Sequence, residues 1–319
     1  MTRTPSRVVQ PQPSAVAEGP LVRVTSWNVK CPGGGSAERR LSALIATDPD
    51  VVLLQEVRRH DVRDLLGQCD SSGRPYFHWG ASSLDVPPAV AHPKVGEAIL
   101  LRHPWATEVP TRLPDDACFP GDSTWGMPFK TLMLRVEVPV GPTATTAVTF
   151  ISAHARPAAS KGVGNLKSSF HTAVARWVQE CPTPVVLGID ANAPDIDHPD
   201  ADKIYLGWES DTDWKRHHHD PGAVDPGSPS AWGQDRLLGP RAWHLLRDAY
   251  RDVHEREGRS PVTPEGPLAL SYPKLNKRYD HLLVSPSIYT QDCNYSVTAG
   301  REAGSDHEMA FGVLRLPAH

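Results

Sequence analysis

A short apolar run that ends in two polar residues, over residues 185–192, constrains the fold of this chain most. It reads V-V-L-G-I-D-A-N, and a short continuous apolar run is typical of a strand buried on both faces. Side chains two apart in a strand point to the same face, which predicts that Asp190 and Asn192 lie together at the rim of a sheet. A carboxylate beside a carboxamide suits phosphate-ester chemistry, because the acid can bind a hard cation or accept a proton. A simple turn or helix cap is the alternative.

Composition indicates a globular protein without a membrane span. The chain has 319 residues, enough for one large domain or two ordinary ones, and no apolar run approaches the ~18 residues of a membrane span. The net charge of −4 gives no overall positive field to attract nucleic acid, although a local basic rim around a metal would still hold a phosphodiester. The five scattered cysteines fit reduced thiols, which predicts a cytoplasmic protein.

The periodicity predicts alternating strands and helices in one domain. Residues 1–20 are rich in Pro, Ser and Gln and have no apolar periodicity, so we expect a disordered tail before a single domain over residues 21–319. The predicted strands cover residues 21–29, 50–56, 96–102, 130–138, 146–154, 185–192, 282–284 and 309–316, and the predicted helices cover 36–47, 59–67, 165–180 and 241–256. Strands and helices in this order, mixed with strand pairs, favour two packed sheets with helices outside.

Polar residues of catalytic type end several of these strands. Asn28 follows the first, and its alternative is a turn-forming residue. Glu56 ends the very apolar second strand, where a charge is costly unless it is paired or metal-bound. His154 ends the fifth, with a structural histidine as the alternative. Near the carboxyl end, Asp306 directly precedes His307, so both can reach one site from a turn.

The stretch from residue 193 to about residue 240 shows no periodicity. Pro, Gly, Asp and Trp dominate it, and so long a loop in a compact domain is usually functional or mobile. It contains three consecutive histidines, His217, His218 and His219. They are interpreted as part of a solvated loop, because three in a row cannot all face one ion from a single strand or helix.

The polar motifs occur in an ordered series. They are W-N at 27–28, Q-E at 55–56, G-E-A-I-L at 96–100, S-A-H at 152–154, G-I-D-A-N at 188–192, R-Y-D-H at 278–281 and S-D-H at 305–307. This series, over residues 22–316, resembles the endonuclease/exonuclease/phosphatase superfamily. The resemblance implies an α+β fold with four layers, α/β/β/α, in which two mixed sheets pack face to face between helices. It also implies metal-dependent cleavage of a phosphoester, with Mg²⁺ as the usual ion and Mn²⁺ as the alternative.

The resemblance also implies roles for individual residues. Glu56 would be the main metal ligand, helped by Asn28, and Asp306 would add a metal or water contact. Asp190 would position or deprotonate the attacking water, and Asn192 would hold the phosphate or the leaving group. His154 and His307 would flank the phosphate, with Asp280 orienting His307 and Glu97 orienting His154. Lys130 and Arg278 are placed where they could add positive charge beside the phosphate, and a solvated or structural charge is the alternative for each.

The substrate is less constrained than the reaction type. A nuclease that hydrolyses DNA with low sequence specificity is favoured by Glu97 and by the two histidines, because the deoxyribonuclease I branch uses Glu at that position. A small-molecule or lipid-headgroup phosphodiesterase or phosphatase is the alternative, with the 193–240 loop as a lid. A non-catalytic scaffold is disfavoured, since every expected catalytic position holds a competent residue.

Overall fold

Two six-stranded mixed sheets form the centre of the molecule in a computed structural model. The structure describes residues 19–29, 37–70, 72–85, 95–102, 111–112, 131–140, 144–155, 164–194, 196–204, 206, 234–239, 242–296 and 299–318. The strands are β1 Leu21–Asn28, β2 Val51–Val57, β3 Trp79–Ser82, β4 Gly96–Leu101, β5 Thr111–Arg112, β6 Thr131–Pro139, β7 Thr145–His154, β8 Val185–Asp190, β9 Arg247–Asp248, β10 Asp280–Val284, β11 Tyr289–Ser296 and β12 Met309–Arg315.

The two sheets have similar connectivity. The first has the order β11-β12-β1-β2-β4-β3 and the second has the order β5-β6-β7-β8-β10-β9. Each contains one parallel pair, β1 with β2 and β7 with β8, among otherwise antiparallel neighbours. Both parallel pairs lie at the middle of their sheet, where strands are apolar on both faces.

Four layers result from the apolar faces of these sheets. Val24, Leu53, Leu134 and Phe150 belong to one buried cluster that joins both sheets. On the outer face of the first sheet pack α1 (Ala37–Ala46) and α2 (Arg59–Leu66), through apolar residues that share a cluster with β2 and β4. On the outer face of the second sheet packs α3 (Gly164–Glu180). The predicted α/β/β/α sandwich is confirmed.

A polar contact joins the sheets just below the rim that carries the motifs. The Gln55 side-chain nitrogen Nε2 donates to Ser152 Oγ at 3.0 Å and to Ser26 Oγ at 3.3 Å. Gly188 faces this contact, and a Cβ added there would lie 2.5 Å from Ser26 Oγ. The glycine of G-I-D-A-N therefore lets the two sheets approach each other at this point.

Most predicted elements are confirmed, but the predicted helix over residues 241–256 is wrong in its first half. Residues 242–248 are not helical, and the helix α4 spans only Ala249–Glu257. Asp248 is the N-cap, and its carboxylate accepts from the amides of Tyr250 at 3.0 Å and Arg251 at 3.1 Å. An N-cap residue has non-helical dihedral angles, so the helix does not extend to the apolar residues before it, of which Trp243 and Leu245 are exposed. The short strands β3, β5 and β9 and the strand β11 were not predicted, because tertiary pairing rather than a local pattern makes them strands.

Several predictions fall on residues outside the described ranges. They are Lys130, His217, His218 and His219, nearly all of the proposed tail over residues 1–20 and much of the 193–240 loop. The division into a tail and one domain therefore stays a prediction. Among the described residues, no helix combines the length and the apolar character needed to cross a membrane.

Candidate active site

Strand register brings three of the predicted site residues side by side in the second sheet. In the parallel β7–β8 pair His154 lies opposite Asp190, and in the antiparallel β8–β10 pair Asp190 lies opposite Asp280. All three side chains are buried. β7 and β8 end, and the antiparallel β10 begins, with an imidazole and two carboxylates at one rim of the sheet.

The first sheet supplies the facing side of the site. Asn28 is the last residue of β1, and its Nδ2 donates to Asp190 Oδ2 at 2.7 Å. His307 lies in the turn before β12, which pairs with β1. Ser305 fixes this turn, because its hydroxyl donates to the Asn28 carbonyl at 2.7 Å and accepts from the His307 amide at 3.0 Å. The Asn28–Asp190 hydrogen bond therefore joins the two sheets inside the site.

Glu56 reaches the site through an irregularity in β2. The register between β2 and β4 shifts between Leu54 and Val57, and Glu56 has a φ of 54°. A non-glycine residue in the left-handed region is strained, and such strain concentrates at functional sites. The bulge places Glu56 Oε1 at 3.5 Å from His154 Nε2, with the Glu56 side chain 25% exposed. The carboxylate thus lies at the opening of the site rather than in the core.

Asn192 also lies beside His154, but its backbone conformation differs from the predicted strand. The strand ends at Asp190, and Asn192 has a φ of 47°, so a left-handed turn rather than strand pleating directs its side chain. Its Nδ2 donates to the Ala155 carbonyl at 2.8 Å and lies 3.4 Å from His154 Nε2. The Asn192 amide donates to Asp190 Oδ1 at 3.0 Å. Lys167 holds the turn, donating from Nζ to the Asn192 carbonyl at 2.5 Å.

Asp280 and His307 form a buried carboxylate–imidazole pair. His307 Nδ1 lies 2.9 Å from Asp280 Oδ2, and His307 Nε2 lies 3.9 Å from Asp190 Oδ2. A carboxylate on one ring nitrogen fixes the orientation of the ring and directs the other nitrogen. The Asp280–His307 pair therefore directs Nε2 of His307 toward the Asp190 carboxylate.

Burial and neighbouring charges shift the pKa values of this group in opposite senses. Burial raises the pKa of Asp190 to about 6; the charge of His307 and hydrogen bonds from Asn28 and Asn192 oppose the rise, and the charge of Asp280 adds to it. Burial would lower the pKa of His307, but the carboxylates of Asp280 and Asp190 outweigh it and raise that pKa to about 10. At neutral pH the site therefore contains an ionised Asp190 facing a protonated imidazole.

Glu97 and Asp306 lie in β4 and in the turn before β12. Glu97 is fully buried, two residues before Ile99, which belongs to the inter-sheet cluster. Residues two apart share a face, so Glu97 is directed, like Ile99, between the sheets. Asp306 immediately precedes His307, and its negative charge contributes to the raised pKa of His307. The roles assigned to Glu97 and Asp306 stay predictions.

Arg278 has partners other than the predicted phosphate. It is 1% exposed. Its guanidinium bonds Asp197 through Nε and both carboxylate oxygens of Asp248, at 3.1 and 2.8 Å. It also donates to Tyr295 Oη at 3.2 Å, and that hydroxyl donates to the Asp280 carbonyl at 2.6 Å. This geometry favours the structural alternative for Arg278, because every guanidinium nitrogen is hydrogen-bonded to the protein, and the phosphate contact stays a prediction.

The donor set fits a hard divalent cation. Within the described residues, the compact group suited to a metal is Asp190, Asp280 and His307, which differs from the predicted ligands Asn28, Glu56 and Asp306. Asp280 is hydrogen-bonded to His307, whereas the Glu56 carboxylate is partly exposed, and the assignment of Asn28, Glu56 and Asp306 as ligands stays a prediction. Oxygen donors of this kind are what Mg²⁺ prefers.

Three contributors to the site were not predicted. Lys167 lies on a helix whose apolar pattern gave no sign of a role near Asn192. Tyr272, whose ring centroid lies 4.7 Å from that of His307, belongs to no motif. The indole nitrogen of Trp27 donates to the His307 carbonyl at 3.2 Å, and its place in the W-N motif was the available signal.

Comparison with solved structures supports the fold. The chain is similar to D. rerio TDP2 complexed with single strand DNA product, at 15% identity and a TM-score of 0.53, covering 92% of this chain and 99% of that one. An AP endonuclease from Archaeoglobus fulgidus matches at 15% identity and a TM-score of 0.56, covering 92% and 98%. An endonuclease/exonuclease/phosphatase from Beutenbergia cavernae DSM 12333 matches at 19% identity and a TM-score of 0.51, covering 93% and 72%. At these identities the likeness concerns the fold.

Sequence comparison supplies the family. A search of curated proteins gave no significant match. The sequence profile of the Endonuclease/Exonuclease/phosphatase family matches residues 25–307, which include every predicted site residue from Asn28 to His307. The chain therefore belongs to the Endonuclease/Exonuclease/phosphatase family.

Proposed function

We propose that this protein is a Mg²⁺-dependent phosphodiesterase that hydrolyses DNA with low sequence specificity. The observation that carries the proposal is the convergence of Asp190 with two imidazoles, at 3.5 Å from His154 Nε2 and 3.9 Å from His307 Nε2. A base beside two proton donors is what hydrolysis of a phosphodiester requires. DNA as the substrate class is supported by the similar fold of the D. rerio TDP2–DNA complex and of the A. fulgidus AP endonuclease.

Asp190 would act on the attacking water. Hydrogen bonds from Asn28 and from the Asn192 amide fix both of its oxygens. Its pKa of about 6 leaves it ionised at neutral pH, yet basic enough to accept a proton. Glu56 and Asn28 would hold the Mg²⁺, and Asp306 would assist; when bound, the ion would stabilise charge on the phosphate and lower the pKa of water.

The two histidines would contact the phosphate. His307, protonated and oriented by Asp280, would donate from Nε2 to a phosphate oxygen. His154 would flank the other side, with Glu97 orienting its ring. Asn192, whose carboxamide lies beside His154, would hold the phosphate or leaving group. Lys130 would add positive charge at the rim.

A small-molecule or lipid-headgroup phosphoesterase is the second candidate. The formal net charge of −4 favours it, since low-specificity DNA binding draws mainly on phosphate contacts with basic residues. A cytoplasmic location is compatible with both candidate functions and stays a prediction.

The test is hydrolysis by the purified protein with Mg²⁺, Mn²⁺ or EDTA. The substrates are supercoiled plasmid, single-stranded DNA, RNA and bis(p-nitrophenyl) phosphate. We expect metal-dependent cleavage of DNA that falls about 10²–10⁴-fold in His154→Ala and Asp190→Asn. His78→Ala removes an exposed histidine outside the site and should retain full activity. Cleavage of the small ester alone would favour the second candidate, and a fully active Glu56→Gln variant would refute the metal assignment.

A further inference from the structure

Asp280 lies at the start of β10, before the part of that strand that pairs with β9. The β9–β10 pairs are at Leu283 and Val284. On the other side of β10, the Ala191 amide donates to the Tyr279 carbonyl at 2.9 Å. Hydrogen-bonding directions alternate along an antiparallel strand. The amide and the carbonyl of Asp280 are therefore directed away from β8, toward the side on which β9 pairs further along the strand.

Two buried hydroxyl groups hold the Asp280 backbone on that side. The Asp280 amide donates to Ser271 Oγ at 2.9 Å, and the Asp280 carbonyl accepts from Tyr295 Oη at 2.6 Å. Ser271 and Tyr295 are both buried. Because buried backbone groups need hydrogen-bond partners, these side chains take the place of a neighbouring strand at the residue whose carboxylate contacts His307.

Tyr295 belongs to the sheet opposite Asp280. It lies in β11 and pairs with Ala310 of β12, the strand that begins just after His307. The hydrogen bond from Tyr295 to the Asp280 carbonyl thus crosses between the two sheets. Asp280 and His307 also come from different sheets, so the distance between their side chains depends on how the sheets are held together at this point.

The surroundings of Tyr295 fix the direction of its hydroxyl group. Arg278 Nη1 donates to Tyr295 Oη at 3.2 Å, and a guanidinium can only donate, so the hydroxyl proton is left for the Asp280 carbonyl. The Tyr250 ring packs beside the Tyr295 ring with a centroid distance of 5.1 Å. Burial raises the pKa of Tyr295 well above its usual value, which keeps the hydroxyl protonated at neutral pH.

We propose that Tyr295 is a positioning residue for the reaction, whose hydroxyl holds the Asp280 backbone so that the Asp280 carboxylate stays within hydrogen-bond distance of His307 Nδ1. Tyr295 acts through Asp280 rather than on the substrate. Side chains that orient the groups of an active site from behind typically contribute about 10- to 100-fold to activity. This inference rests on the proposed hydrolysis, in which His307 donates to a phosphate oxygen, and it adds a residue that belongs to none of the sequence motifs.

Tyr295→Phe tests the proposal, because it removes the hydroxyl and keeps the ring. We expect kcat for DNA hydrolysis to fall about 10- to 100-fold, with KM within about twofold of the wild-type value, because the groups that bind DNA are unchanged. Tyr250→Phe is the matched control. It removes a buried hydroxyl from the neighbouring ring, which donates to the Leu268 carbonyl at 3.5 Å, and should retain wild-type kcat. A kcat for Tyr295→Phe within about twofold of the wild-type value would overturn the proposal.

A double-mutant cycle separates the positioning of Asp280 from a general effect on structure. Asp280→Ala leaves no carboxylate to position, so adding Tyr295→Phe should lower kcat by no more than about twofold further. A hydroxyl that served only the fold would lower kcat by the same factor in both backgrounds, and that result would overturn the proposal. Urea unfolding of each variant identifies a temperature at which all of them are folded during the assay.

Hydrogen exchange of the His307 ring tests the same contact without activity. In protein with isotope-labelled histidine, NMR should detect the proton between His307 Nδ1 and Asp280. We expect this proton to exchange with water faster in Tyr295→Phe than in the wild type, and at the wild-type rate in Tyr250→Phe. Equal rates in the wild type and Tyr295→Phe would overturn the proposal. Wild-type protein that cleaves neither DNA nor the small ester would refute the proposed function, and the exchange rates would then decide the role of Tyr295 separately.

Discussion

At the scale of single residues, His307 is held between two carboxylates. Asp280 contacts one ring nitrogen at 2.9 Å and Asp190 faces the other at 3.9 Å. These charges overcome the burial of the imidazole and raise its pKa. The same proximity of Asp280 adds to the raised pKa of Asp190. The charge of Asp280 thus contributes to both raised pKa values.

Asp280→Asn should move both limbs of the activity profile to lower pH. Removing a negative charge makes protonated His307 less stable, so its pKa falls from about 10, and it makes ionised Asp190 more stable, so its pKa falls from about 6. We expect kcat/KM at neutral pH to fall on the order of 10²-fold. The measurement is the pH profile of kcat/KM for wild type and variant.

Asp292→Asn is the matched control, because this carboxylate is 45% exposed and pairs with Arg259 at 3.2 Å on the surface. Its profile should superimpose on that of the wild type. If Asp280→Asn reduces the rate but leaves both limbs in place, the Asp280 charge does not determine the two pKa values.

At the scale of elements, the site exists because two sheets approach closely at one rim. Gln55 of β2 donates to Ser152 of β7, and Ser152 donates to the Leu54 carbonyl at 2.8 Å. Gly188 of β8 provides the space for this contact. The Asn28–Asp190 hydrogen bond lies closer to the rim. It depends on the same short distance between the two sheets.

Gly188→Ala should destabilise the protein by about 1–3 kcal/mol, because the new Cβ would lie 2.8 Å from Leu53 Cδ1 as well as 2.5 Å from Ser26 Oγ. Urea unfolding measures the loss. Gly67→Ala is the control, since its Cβ would meet nothing closer than 3.5 Å. Equal unfolding free energies for the two variants would show that the sheets can move apart at Gly188 without loss of stability.

Arg278 is the second determinant at this scale, because it joins the chain after β8, the start of α4 and, through Tyr295, the start of β10. Arg278→Leu leaves the buried carboxylate of Asp197 and the 12%-exposed carboxylate of Asp248 without their main partner. Breaking a buried pair from one side typically costs about 3–5 kcal/mol, measured by urea unfolding.

Arg176→Ala provides the comparison, because Arg176 and Glu180 form an exposed pair on α3. Its loss should change the unfolding free energy little. A small effect of Arg278→Leu, together with a marked rise in KM for DNA, would instead return Arg278 to the phosphate contact predicted from the sequence.

At the scale of the whole molecule, the proposed metal ligands belong to one sheet, and one of them is bonded to the other sheet. Glu56 and Asn28 belong to the first sheet, and Asn28 is hydrogen-bonded to Asp190 of the second. An ion bound there stabilises the native state and not the unfolded chain, in which these residues are far apart. Metal binding should therefore increase the stability of the entire sandwich.

Magnesium at about 100 times its dissociation constant should raise the unfolding free energy by about 2.7 kcal/mol. Thermal unfolding with Mg²⁺ or EDTA measures this without reference to activity. Glu56→Gln should abolish the increase, while His78→Ala should retain it. An increase that persists in Glu56→Gln would place the ion on Asp190, Asp280 and His307 instead.

Local patterns predicted the main elements and the motif residues, and they failed where a local signal competed with packing. The strand that ends in Asp190 is a continuous buried apolar run, which leaves few alternatives to a central strand, and the strands that end in Asn28 and His154 are buried on both faces toward the rim. The predicted start of α4 was wrong because Asp248 acts both as N-cap and as partner of Arg278. The positions of Arg278 and Tyr272 could not be predicted from local sequence. Neither a structural arginine nor a tyrosine packed against His307 has a sequence signature.

By itself, the sequence determined which residue types stand at the ends of which strands, because period-two alternation and apolar runs are properties of neighbouring residues. Only the tertiary structure decided which of those ends meet. The register His154–Asp190–Asp280, the left-handed turns at Glu56 and Asn192 and the close approach at Gly188 all involve residues distant along the chain. The position of a side chain in such a site depends on packing between layers, which no local stretch of sequence contains.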